Sequence, residues 1–185
     1  MSWTNADGLY VKFGSEEAIV ARGGEQQSFD GRHIIEFYID YTDALSATAA
    51  VLGDASGNTT GAGAFGVVIP KNLLIEEVQV YAETAFTSSG TVGSADLTFG
   101  TVRATDRSTA IDVDGLSTIA GSVIDALGET TVLRKGGTGA GALIGTNASA
   151  TYDGVIVVAN TAHASHPFTA GRARVRVVGH YGTTH

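Results

Sequence analysis

Two carboxylates one residue apart, in Asp112-Val113-Asp114-Gly115, match the opening of a calcium-binding loop. Such a loop also needs a third ligand before its glycine and a Glu six residues after it, where the carboxylate closes the coordination sphere. Gly121 stands at that position, so calcium is not expected, and Asp114 reads more simply as the cap of a following helix. His163 and His166, in His163-Ala164-Ser165-His166-Pro167, are spaced to share a metal ion. A metal site needs a third and usually a fourth ligand, and the chain lacks the clustered His and Glu that a cupin-type jelly roll carries on adjacent strands. Both histidines read as loop residues. Gly61-Ala62-Gly63-Ala64-Phe65-Gly66 has the letters of a dinucleotide fingerprint, but the strand before it and the helix after it are missing. Lys135-Gly136-Gly137-Thr138-Gly139-Ala140-Gly141 lacks the G-K-[ST] ending of a phosphate cradle and reads as a wide turn between strands. Ser, His and Asp all occur, without a G-x-S-x-G elbow, and an inventory is not a triad. The chain is therefore expected not to be an enzyme, with no catalytic residue, no cofactor and no metal.

Two features remain as candidate protein interfaces. Arg172, Arg174 and Arg176 alternate with Ala173, Val175 and Val177, which puts three of the eleven basic side chains on one face of a strand. Trp3, the single Trp, lies in a polar N-terminal segment, and Trp and Arg are enriched where protein interfaces draw most of their binding energy. An intramolecular explanation for the arginines is available too, because a regular polar face bearing Glu77, Gln79 and Glu83 offers a cross-strand neighbour.

These side chains are held by elements that mostly show period-2 alternation. Within 33–41, Ile35, Phe37, Ile39 and Tyr41 fall on one face and Glu36 and Asp40 on the other. Residues 9–13 repeat the pattern, and from Val78 the residues Val78, Val80, Ala82, Thr84 and Phe86 oppose Glu77, Gln79, Tyr81 and Glu83. Further strands are expected at 19–22, 65–69, 95–102, 130–134, 152–159 and 171–181. The run Gly154-Val155-Ile156-Val157-Val158-Ala159 is apolar on both faces and should be central and covered on both sides. One stretch breaks the period. Leu116, Ile119, Ala120, Val123, Ile124 and Leu127 have helical spacing, with Gly128 as a stop, which predicts one helix over 115–127. The fold class expected is all-β, a β-sandwich or jelly-roll-like domain with one short helix and an N-terminal arm. The stretch 47–66, rich in Ala, Gly, Ser and Thr, reads as a long loop or linker. The expected division is an arm or small β subdomain at 1–50, a linker at 51–61 and the sandwich at 62–183.

Composition narrows the function classes. Eleven Lys and Arg against nineteen Asp and Glu give a net charge of −8, which disfavours direct nucleic-acid contact. The absence of cysteine excludes disulfides, Fe–S clusters and Cys-ligated zinc. No leader-like segment opens the chain and no stretch reaches the roughly 18 apolar residues of a membrane span, so no membrane association is expected.

Val68-Ile69-Pro70-Lys71-Asn72-Leu73-Leu74-Ile75-Glu76-Glu77-Val78, Thr84-Ala85-Phe86-Thr87 and Ala95-Asp96-Leu97-Thr98-Phe99-Gly100 resemble a β domain of virion structural proteins from tailed bacteriophages. Asp114-Gly115-Leu116, Gly139-Ala140-Gly141-Ala142-Leu143-Ile144-Gly145 and Phe168-Thr169-Ala170-Gly171-Arg172-Ala173-Arg174-Val175 fit the same family, and the opening Trp3-Thr4-Asn5-Ala6-Asp7-Gly8-Leu9 is similar to the start of such proteins. The resemblance spans most of 64–182 and rests on turn and strand signatures. It implies a capsid cement or decoration protein on the virion surface, made in the host cytoplasm, with the major capsid protein as partner and a homo-oligomeric state, trimer or dimer. A receptor- or glycan-binding module of a head or tail fibre is the alternative expectation.

Overall fold

The computed structural model describes residues 2–4, 10–13, 23–27, 32–52, 67–146 and 149–181, the first three stretches as backbone strands only. Twelve strands are formed by these residues: β1 (Ser2–Thr4), β2 (Tyr10–Phe13), β3 (Gly23–Gln27), β4 (Arg32–Asp40), β5 (Ala50–Val51), β6 (Val68–Ile69), β7 (Leu73–Ser88), β8 (Asp96–Arg103), β9 (Ala110–Ala120), β10 (Thr130–Arg134), β11 (Gly154–Asn160) and β12 (Phe168–Tyr181). They build two antiparallel sheets. The larger has the order β1-β2-β3-β4-β12-β7-β10; the smaller has the order β5-β11-β8-β9, with β6 also pairing β11. The protein is an all-β sandwich.

Alternation explains how the sheets close on each other. Ile35, Phe37 and Ile39 of β4, Val78, Val80 and Ala82 of β7, and Ala173, Val175 and Val177 of β12 point inward and are buried. Leu97 and Phe99 of β8, Ile119 of β9, and Ile156 and Val158 of β11 meet them from the smaller sheet. The Phe37 and Phe99 rings join the two layers edge to face, with centroids 6.3 Å apart. β11 lies between β8 and the β5 and β6 strands, and its other face supplies Val155 and Val157 to a second apolar cluster with Val51 and Val102. The residue-by-residue apolarity of that strand thus has a cause on each side.

Three expectations need correction. Residues 115–127 form no α-helix; β9 runs to Ala120, a single 3-10 turn follows at Gly121–Val123, and Ile124 begins a loop into β10. A short isolated helix with Gly121 near its middle gains little by itself. The strand instead pairs Ser117, Thr118 and Ile119 with Phe99, Thr98 and Leu97. The boundary at residue 50 does not follow the fold either. β4 is hydrogen-bonded between β3 and β12, and its inward side chains belong to the core, so 32–50 is sandwich and Val51 is strand rather than linker. Finally, Thr84 is exposed instead of sharing the inner face with Val78, because the β7–β12 register shifts between Arg172 and Ala173. The strand expected at 19–22, the linker at 53–61 and the glycine motif 61–66 lie outside the described residues.

Candidate functional site

The outer face of the seven-stranded sheet collects the candidate interface arginines. β12 is central there, pairing Arg172, Arg174 and Arg176 with Asp40, Tyr38 and Glu36 of β4 on one side, and with Thr84, Tyr81 and Gln79 of β7 on the other. Cross-strand neighbours on one face stand close enough to touch, and here they are chemically matched. Arg172 reaches Asp40 at 3.7 Å and Glu83 at 3.4 Å, with its guanidinium 4.7 Å from the Tyr38 ring centroid. Arg174 lies 3.8 Å from Glu83 and 5.2 Å from the Tyr81 ring centroid. Arg176 donates to Glu36 at 2.5 Å. One strand further out, Arg134 of β10 donates to Glu77 at 2.9 Å, and Gln79 donates to the same carboxylate at 2.6 Å. Burial pushes the Glu77 carboxyl up, but the hydrogen bonds from Gln79 and Arg134, with the charges of Arg134 and Arg32, outweigh it and hold the group below its ordinary range.

Four arginines (134, 172, 174, 176) therefore face four carboxylates (Glu36, Asp40, Glu77, Glu83) on a locally neutral lattice. Individual exposed ion pairs are each worth about 0–1 kcal/mol, and sharing Glu83 between two arginines fixes side chains that would otherwise each lose rotamer freedom alone. The lattice offers outward N–H donors, carboxylate oxygens and tyrosine faces on rigid strands. Its charges are already matched within the chain. Trp3 is a residue of β1 and pairs with Val11 at the far end of the same sheet; its side chain lies outside the described residues.

The carboxylate pair sits elsewhere. Asp112 of β9 opposes Thr101 of β8, and the register then jumps to Ser117 opposite Phe99, so 113–116 bulges out of the strand. A Cβ on Gly100 would lie 2.2 Å from the Asp112 carbonyl oxygen, which is why the bulge needs a glycine beneath it. The Gly-rich turn after β10 fills the bulge: Leu143 N–H donates to Gly115 O at 2.8 Å and Thr118 N–H to Gly139 O at 3.0 Å. That turn was legible as a turn, but its pairing with β9 was not. Asp114 caps no helix. Desolvation of Asp112, then a hydrogen bond and repulsion from Asp114, push the Asp112 carboxyl up to about 6. Among the described residues no group of three or more His, Asp or Glu could hold a metal ion.

His163 and His166 lie in the loop between β11 and β12. His166 Nδ1 accepts a hydrogen bond from Thr91 N–H at 3.0 Å, and the His166 carbonyl accepts one from Asn160 Nδ2 at 2.9 Å, so this histidine ties two loops together. Among the described residues no helix is long and apolar enough to cross a membrane. No local pattern marks Tyr38 and Tyr81 as partners of the arginines. Glu36, Asp40 and Glu83 were visible as polar faces, but not as neighbours of β12. Comparison with protein-family models, with curated proteins and with solved structures gives no match.

Proposed function

We propose that the protein is a structural component of a tailed-bacteriophage virion that binds the outer surface of the capsid and reinforces it, in the manner of a cement or decoration protein, as a trimer or dimer. The reading rests on the resemblance carried by 68–78, 84–87, 95–100, 139–145 and 168–175. One structural observation favours it: those segments are the framework of the sandwich, namely β7, β8, the turn that fills the β9 bulge and β12. A reinforcing protein needs a stiff body and a patterned surface rather than a reaction centre. The charge-matched lattice on β4, β12 and β7 supplies such a surface, able to exchange some of its internal pairs for pairs with an acidic or basic neighbour.

The test is the copy number of the protein relative to the major capsid protein in purified particles. Hundreds of copies per particle are expected. A few to dozens would overturn the reading in favour of a tail or fibre component, and none would remove the protein from the virion altogether.

A further inference from the structure

The seven-stranded sheet ends at β10, and the hydrogen bonds beside that strand reveal which way its backbone points. Ala82 N–H donates to Glu129 O at 2.9 Å, and Ala82 O accepts from Gly128 N–H at 2.9 Å, so the peptide groups of Ala82 face the β10 side. In an antiparallel ladder this direction alternates, so Val80 and Val78 also face β10, and their partners Thr131 and Leu133 face back. Thr130, Val132 and Arg134 therefore aim their N–H and C=O groups away from the sheet. The Arg134 carbonyl accepts from Gly137 N–H at 2.8 Å; among the described residues the others meet no backbone partner.

The one charged side chain on this edge, Arg134, is drawn back onto its own sheet by Glu77. Natural edge strands are commonly protected by Pro, Lys or an inward-pointing charge. Over 130–134 none of these occurs, and Val132 is 45% exposed. Leu127, just before the strand, is 73% exposed, the most of any large apolar side chain among the described residues.

We propose that β10 is a self-association edge, pairing antiparallel with β10 of a second copy about a two-fold axis through Val132. This register alone uses all three outward-facing residues of the strand: Val132 opposes its own counterpart and Thr130 opposes Arg134 in both directions. It is also self-complementary in charge. Glu129 of each copy falls opposite Lys135 of the other, and no like-charged residues oppose each other. A two-fold perpendicular to the sheet keeps the same face outward in both copies. The charge lattice then continues across the pair as one surface, from the Arg134–Glu77 pair of one copy to that of the other. The inference is independent of any capsid role, since it concerns the free protein.

The chain contains no cysteine, so a single introduced thiol reports the register cleanly. Opposed residues in a hydrogen-bonded pair have Cα atoms about 5.5 Å apart, within disulfide reach. Val132→Cys should therefore cross-link to dimers on mild oxidation. Thr130→Cys should not, because four residues of offset separate the two copies of Thr130 by roughly 13 Å along the strand. The unmodified chain should sediment at twice its 18.9 kDa. Val132→Pro should sediment as the monomer while melting close to the parent, because the N–H it removes points away from β7. A monomeric parent at all concentrations up to the millimolar range overturns the proposal. So does any oligomer in which V132C fails to cross-link or T130C cross-links as readily. These outcomes are read without capsids, so they leave the virion reading to its own test.

Discussion

Among the described residues, Asp112 is the side chain whose ionisation most directly opposes the fold. Its carboxyl is pushed up to about 6 from an ordinary 3.8, so folding favours the protonated form. The resulting stabilisation is complete below about pH 3.8 and is lost as pH rises through about 6, the reverse of a salt-bridged carboxylate. Asp112→Asn should remove that loss. Discounted for the partial exposure of the site, the gain is on the order of 1 kcal/mol, or about 2–4 °C in Tm above pH 6.5. Melting curves of both proteins between pH 4 and 8 check it; parallel profiles would show that folding does not raise the Asp112 carboxyl. Arg174 makes the opposite case. Arg174→Glu replaces an attraction to Glu83 by a repulsion and loses the Tyr81 contact, and should lower Tm by about 2–4 °C. The drop should shrink in about 1 M salt, where charges separated by more than roughly 3 Å are screened. Unchanged melting would mean that the lattice contributes nothing to the isolated fold.

Strands that had to absorb irregularities tell the most. At Gly171 the backbone takes φ +141°, and a Cβ there would lie 2.4 Å from the Phe86 ring. Phe86 is itself held against Phe168 with ring centroids 5.1 Å apart, so it has no room to yield. Gly171→Ala should therefore cost about 2–4 kcal/mol, seen as a fall of roughly 5–10 °C in Tm with the far-UV spectrum retained. A fall under 1 °C would show that the ring moves freely. The same irregularities mark the limit of what could be read from sequence. Regular alternation in 33–41 and 78–83 is enough to assign strands and faces, because period 2 leaves few alternatives for Ile35, Phe37 and Ile39. β9 misled because its four-residue bulge breaks the alternation, and Leu116, Ile119 and Ile124, all buried, end up at helical spacing without a helix. β3, Gly23–Gln27, has no apolar alternation at all and exists through its pairing with β4. The arginines were placed on one face by their spacing; which carboxylates meet them depended on β12 lying between β4 and β7, a long-range fact that no local pattern encodes.

On the scale of the whole molecule, the sandwich core among described side chains begins in β4, while β1 to β3 continue the sheet beyond it. If the proposed virion role holds, deleting residues 1–14 should leave a cooperative β-sheet unfolding transition and weaken co-sedimentation with capsid shells, because it removes Trp3 and the outermost strand pair. Loss of the folded state on deletion would make Trp3 a core residue. The central position of β12 has a consequence in time. β4 waits for a partner whose paired residues lie 132 to 148 positions later, from the Asp40–Arg172 pair to the Arg32–His180 pair. At about 5–20 residues per second of synthesis that interval is roughly 7–30 s. Throughout it β4 and β7 each have an empty neighbour, and the strand that joins them is the last of the twelve to leave the ribosome. A chain halted before Phe168 should show no cooperative melting. Assembly of this sheet is thus timed by translation: its middle is made after its sides, and Ile35, Phe37 and Ile39 must be kept from other nascent chains until it arrives.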